Sequence, residues 1–128
     1  MRLLLDTHAL LWFQSDNPKL SASAKSAIEL PANERWLSPV SLMEIALKNR
    51  LGKLSLPAPF GTLYPATLIA DDIHVLPLGL QHIEPLTTLP LHHRDPFDRL
   101  IAAAALVEGL DLVSGDPQFD AYGLTRLW

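Results

Sequence analysis

Arg2-Leu3-Leu4-Leu5-Asp6, followed at once by Thr7-His8-Ala9-Leu10-Leu11-Trp12-Phe13, is the stretch on which the fold turns. A leucine run closed by an acid suits a buried strand over Arg2 to Asp6, and His8 to Phe13 predicts a short helix directly behind it. Asp6 then sits at the C-terminal end of the first strand. Its simplest alternative role is to cap that helix, because Asp is a preferred N-cap.

The same alternation continues along the chain. Ser21 to Leu30 opens with a capping residue, carries Ala, Lys and Ile at helical spacing and is stopped by Pro31. Arg35 to Ser38 predicts a brief strand, and Ser41 to Leu51 a helix closed by Gly52, with Glu44 in its first turn or two. Pro59 to Ala70 predicts one further helix, Ile73 to Leu78 a buried strand, and His82 to Leu89 fits neither type. Asp95-Pro96-Phe97-Asp98 starts the clearest helix, with Asp at the cap and Pro at the first helical position, and it runs through Glu108 to Gly109. Leu110 to Ser114 and Leu124 to Leu127 are the last strands, joined through Gly115 to Phe119 and a short helix. Trp12, Trp36, Phe97 and the Ala102 to Ala105 run read as core.

Short apolar strands alternating with helices favour an α/β fold, a central parallel sheet of four to five strands with helices on both faces. Such sheets collect ligands beyond the C-terminal ends of their strands, where the strand order reverses. If the first and penultimate strands are neighbours, Asp6 and Asp116 meet in one cleft.

Composition narrows the chemistry. At 128 residues, 48% hydrophobic and 19% charged, with no internal repeat or long linker, the chain is expected to form one domain over residues 1–128. The longest apolar run, Leu100 to Val107, is eight residues, short of the roughly 20 that span a membrane. Asp6 and His8 interrupt the apolar N-terminus, which argues against a secretory signal and for a cytoplasmic protein. With no cysteine, disulfide scaffolds, thiolate zinc sites and cysteine nucleophiles are excluded. The net charge of −4 argues against a generic basic nucleic-acid binder. That charge is uneven: residues 1–53 carry seven Lys or Arg against five acids, and residues 54–128 three against nine. An acidic region beside a smaller basic one suits a divalent metal held between protein carboxylates and a phosphate.

Asp6, Glu44, Asp98 and Asp116 each fall at a strand end or near a helix start, where side chains can converge outside the core. Hard cations such as Mg²⁺ and Mn²⁺ take oxygen ligands of this kind. Two unit charges about 4 Å apart repel by roughly 4 kcal/mol at an effective dielectric near 20, so four converging carboxylates call for cations or protons. Each also has a plainer role: helix caps for Asp6 and Asp98, a solvated helix position for Glu44, a turn for Asp116-Pro117. His92 and His93 fit substrate contact or local packing. Lys48, Arg50 and Lys53 fit phosphate steering or a solvated helix face.

Four blocks together resemble the PIN-domain ribonucleases, specifically the VapC-like toxins of type II toxin-antitoxin pairs: Leu4 to Trp12; Ser38 to Ile45 with Lys48 and Gly52-Lys53-Leu54; His92 to Ala103; and Leu112 to Asp116 with Phe119. In many relatives Thr stands at the place of Ser114 and a basic residue at that of Gly115. The resemblance implies a PIN domain cleaving RNA phosphodiester bonds with Mg²⁺ or Mn²⁺ and water as nucleophile. On it, Asp6, Glu44, Asp98 and Asp116 hold metal and are catalytic, Thr7 and Ser114 add hydrogen bonds, and Asp95 and Arg99 support. One metal would lower the pKa of the attacking water and a second stabilise the leaving 3′ oxygen. Its implied partners are RNA, a VapB-like antitoxin with a cationic residue for the acidic cleft, and a second copy in a homodimer within a toxin-antitoxin hetero-oligomer, with no membrane. Rival expectations are a catalytically silent metal- or RNA-binding module and a phosphoacceptor receiver-like domain. Receivers use a Lys near the last strand, and no Lys follows Lys53. A haloacid-dehalogenase-like phosphatase has a second Asp two residues after its nucleophile, where this chain has His8.

Overall fold

The computed structural model describes residues 1–128. Strand β1 (Arg2–Leu5) runs into helix α1 (Thr7–Gln14), with Asp6 as its N-cap accepting the Ala9 N–H at 2.7 Å. Helix α2 (Ala22–Glu29) is capped by Ser21, and strand β2 (Glu34–Leu37) leads into α3 (Pro39–Arg50). Helix α3 begins two residues before the sequence expectation because the Ser38 hydroxyl accepts the Val40 N–H and Pro39 supplies a pre-set φ.

The single helix expected over Pro59 to Ala70 is instead two, α4 (Phe60–Leu63) and α5 (Ala66–Ala70). Tyr64, the residue before Pro65, is extended, and Pro65, which has no N–H to continue the helix, breaks it there. Strand β3 covers only Ile73–Val75; Leu76 adds one bond to the Leu37 carbonyl before Pro77, which has no N–H, ends the pairing. The segment over His82 to Leu89, which matches neither period in sequence, follows the start of α6 (Leu80–Ile83) into a 3₁₀ turn (Glu84–Thr87). Helix α7 (Pro96–Glu108) ends where Gly109 turns left-handed at φ 64°. Strands β4 (Asp111–Val113) and β5 (Arg126–Leu127) flank a 3₁₀ helix, Pro117–Tyr122.

All pairings are parallel, in the order β3-β2-β1-β4-β5. The alternating sides of β1 explain the two layers. Leu3 and Leu5 pack with Ala9, Leu10, Ile28 and Ile45 on one face, while Leu4 packs with Ile101, Ala105, Leu112 and Phe119 on the other. Truncating Leu4 to Ala would cost about 2–5 kcal/mol, measurable by denaturant unfolding. Trp12, Trp36 and Phe97 are only half-buried, at the rims of the core rather than within it. No helix is long and apolar enough to cross a membrane.

The strand order reverses between β1 and β4. Those two strands are paired, Leu5 opposite Val113, and the Asp6 N–H continues the ladder to the Val113 carbonyl at 3.1 Å. The condition left open by the sequence, that the first and penultimate strands are neighbours, is therefore met, and Asp6 and Asp116 leave the sheet at the same end.

Candidate active site

Asp6 is buried beneath the switch point, and burial pushes its carboxyl above the ordinary carboxylate range. The Ser114 hydroxyl, the Ala9 N–H and His8 oppose that rise, and Glu44 adds to it. Asp6 thus caps α1 and at the same time feels the charge of Glu44.

Glu44 lies on the inward side of α3 with its side chain only 5% exposed. Its Oε1 accepts the Thr7 hydroxyl at 2.7 Å, and Thr7 also contacts Ser41 at 3.0 Å. Its Oε2 accepts from Lys48, one helical turn on. Lys48 is consequently held protonated, first by Glu44 and further by Asp95 and Asp98. The basic cluster of this region therefore divides. Lys48 neutralises the acids, while Arg50 and Lys53 stay exposed.

Asp98, in the first turn of α7, is pushed up to about 6. Burial is the main cause, with Asp95, Glu44 and Asp116 adding repulsion and His93 opposing. Asp95, not Asp98, caps the helix by accepting the Phe97 N–H at 2.9 Å. Arg99 reaches back to the Leu86 and Leu89 carbonyls and fastens the preceding segment to α7.

Asp116 accepts the Gln118 N–H through Oδ1 and meets His93 Nε2 through Oδ2 at 2.8 Å. The Tyr122 hydroxyl accepts the His93 backbone N–H at 3.0 Å and lies 2.9 Å from Nδ1. The imidazole thus bridges the Tyr122 hydroxyl at Nδ1 and the Asp116 carboxylate at Nε2. Phe119 and Tyr122 flank the imidazole, at 4.5 and 5.5 Å between centroids. Of the two roles that sequence allows His93, substrate contact and packing, the structure shows packing, and adds a third: the ring orients Asp116. The 23-residue separation leaves no local signal for that contact.

Glu44 raises the pKa of both Asp6 and Asp98, and Asp116 raises that of Asp98, so the four carboxylates share one electrostatic neighbourhood. In this structure no three His, Asp or Glu side chains stand in metal-ligating geometry. Glu44, Asp6 and Asp116 instead engage Lys48, Thr7, Ala9, His93 and Gln118. The donor set is nevertheless all carboxylate and hydroxyl oxygen, and Asp98 and Asp6, raised chiefly by burial, also feel the charge of neighbouring acids. Both features fit a hard divalent ion. Replacing Lys48 with Met should strand Glu44, lower the melting temperature in EDTA by several degrees, and make added Mg²⁺ more stabilising than in the parent. Equal melts of parent and variant in EDTA would show that Lys48 is no counter-ion to Glu44.

The PIN domain family model matches residues 3–124, and the chain belongs to that family. Within it, the chain is 32% identical over 117 residues to Ribonuclease VapC22 of Mycobacterium tuberculosis, covering 89% of this chain and 86% of that one. Among solved structures, it is similar to a chain of VapBC2 from Rickettsia felis, bound to a DNA fragment from their promoter (TM-score 0.70, 19% identity, 98% of this chain and 97% of that one). It is also similar to one of VapBC-1 from nontypeable Haemophilus influenzae (TM-score 0.64, 20% identity, 98% and 96%).

Proposed function

We propose that this protein is a metal-dependent endoribonuclease, the toxin of a type II toxin-antitoxin pair, with Asp6, Glu44, Asp98 and Asp116 as its catalytic carboxylates. The observation that carries this reading is the gathering of four acids at the sheet's switch point, Asp6 from the end of β1, Glu44 from α3, Asp98 from α7 and Asp116 from beyond β4, close enough to feel one another's charge. Similarity to a ribonuclease across most of the chain supports the substrate class.

The four carboxylates would hold Mg²⁺ or Mn²⁺, which supplies Lewis-acid activation of water and neutralises the phosphate's charge. The chain's own residues prepare the place. Thr7 fixes the Glu44 carboxylate by hydrogen bond, the α1 cap fixes Asp6, and His93 fixes Asp116. Lys48 keeps Glu44 compensated and must leave Oε2 when that oxygen turns to a cation. Water's oxygen forms the new bond to phosphorus while the bond to the leaving 3′ oxygen breaks; the product ends are a 5′ phosphate and a 3′ hydroxyl.

The antitoxin's place is a groove of about 940 Å³ between α1, α3 and α5, walled by Leu11, Ile45, Leu54, Leu56 and Leu63. Thr7 and Lys48, both in contact with Glu44, also line it, so a partner helix lying there would bring an Arg or Lys toward the carboxylates. The test of the enzyme reading is incubation of purified protein with single-stranded RNA, with and without Mg²⁺ or Mn²⁺, followed by mapping of the ends. Metal-dependent cuts with 5′ phosphates are expected. Intact RNA under all metal conditions would overturn it.

A further inference from the structure

The carboxylate site has an aromatic annex. A cavity of about 370 Å³ is lined by Asp6, Asp116, His8, Trp12, Trp128 and Lys19. Trp12 lies at its centre: the Trp128 ring is 5.9 Å away, the His8 ring 5.4 Å, and Lys19 Nζ 5.9 Å from the Trp12 centroid. Both indoles are half-buried, resting on the rim of the core and leaving surface to the cavity.

Gly115 belongs to the same construction. A Cβ there would meet Trp128 Cε2 and Cζ2 at 3.0 Å, so a side chain at 115 requires the indole to shift by a few tenths of an ångström. Gly115 thereby leaves room for an aromatic ring in the cavity that Asp116 also lines.

We propose that this annex is a subsite for one unpaired nucleobase of the RNA, adjacent to the scissile phosphate, with Lys19 toward the backbone. The assignment rests on the nuclease reading of the carboxylates. Its physical basis is a shortage: a chain of net charge −4 gains little affinity from phosphate contacts, so a contribution independent of charge has to retain the strand. Base stacking on aromatic side chains is such a contribution, and every base has a π-face to offer. The cavity volume falls in the range of small-ligand pockets. A paired base is already stacked within its helix, so the subsite selects single-stranded or loop RNA.

The test uses full-length protein carrying Asp98→Asn, which holds a strand without cutting it, and compares a labelled single-stranded oligoribonucleotide with strands bearing an abasic ribose at each position in turn. Fluorescence anisotropy in Mg²⁺ gives the ratio of dissociation constants. One abasic position is expected to weaken binding about tenfold or more. Adding Trp128→Ala should bring that ratio to within about twofold, and Trp128→Phe should restore most of it. Gly115→Ala, which keeps the indole but displaces it, should lower the ratio without removing the ring, and serves if Trp128→Ala fails to fold. No abasic penalty at any position, the result for a pocket that takes a protein side chain, overturns the subsite, as does a penalty unchanged by both Trp128→Ala and Gly115→Ala. Cleavage of the intact strand by the protein with Asp98 restored separates the two readings. Cutting without base preference removes the subsite alone, and base-dependent binding without cutting removes the nuclease alone.

Discussion

Asp98→Asn is expected to lower metal-dependent RNA cleavage at least about a hundredfold while making the protein more stable at neutral pH. Removal of a metal ligand or its support commonly costs tens to hundreds of fold, and Asp98 is the carboxylate on which the others press hardest. Its burial, with the neighbouring acids adding to it, fixes the sign of the stability change. Its carboxyl sits at about 6 in the folded chain against 3.8 for a solvated aspartate, so the folded state binds that proton more tightly than the unfolded state does. Above pH 6 the ionised group therefore destabilises the fold, and the penalty disappears as pH falls through 6 toward 4. After allowance for the solvent that reaches Asp98, the penalty is about 1–2 kcal/mol, or roughly 5 °C in melting temperature. Melts in EDTA should show the Asn variant ahead of the parent at pH 7.5 and level with it near pH 4. Cleavage by the parent should decline below pH 6, because protons then compete for the metal's ligand. A folded variant with near-parental cleavage would remove Asp98 from the mechanism.

Asp6→Asn should also cost about a hundredfold or more in cleavage, but with a different structural signature. Asn caps helices as well as Asp does, so the bond from the Ala9 N–H survives and α1 keeps its start. Asp6→Ala removes cap and charge together, and should lose about 1 kcal/mol of stability relative to Asn while being equally inactive. Measuring cleavage and thermal melts across the pair separates the two functions of one side chain. Near-normal cleavage by the folded Asn variant would leave Asp6 as a cap only.

The legible parts of this molecule are those written locally. The leucine run of β1, the Asp95-Pro96 start of α7 and its Gly109 stop each state their structure within a few residues, and the sheet's parallel character follows from the alternation of such strands and helices. Long-range pairings are silent. Glu44 and Lys48 stand one helical turn apart, yet the sequence reads Lys48 as phosphate steering or a solvated face, and only the fold shows it paired with a buried Glu44 and near Asp98. His93 and Asp116 are joined by the packing of Phe119 and Tyr122 around an imidazole, for which no periodicity exists. Trp12 reads as core because a large aromatic at a helical spacing usually is; its neighbours Trp128 and Lys19 arrive from other segments and turn one side of it into a cavity wall. Around Pro65 the helical composition of Pro59 to Ala70 outweighs a single proline in sequence, whereas in the fold that proline alone divides one expected helix into two.

The central claim, that Asp6, Glu44, Asp98 and Asp116 together take up a divalent cation for RNA hydrolysis, is tested most directly by titrating Mn²⁺ into EDTA-treated protein. Calorimetric metal uptake and RNA cleavage are followed in the same samples, for the parent and for Asp98→Asn. Cleavage by the parent should be absent before the first addition, rise in proportion to occupancy and fall to baseline when EDTA is restored, while the variant takes up Mn²⁺ far more weakly and stays inactive. Cleavage that persists in EDTA, or Mn²⁺ uptake and cleavage unaltered by Asp98→Asn, would contradict it.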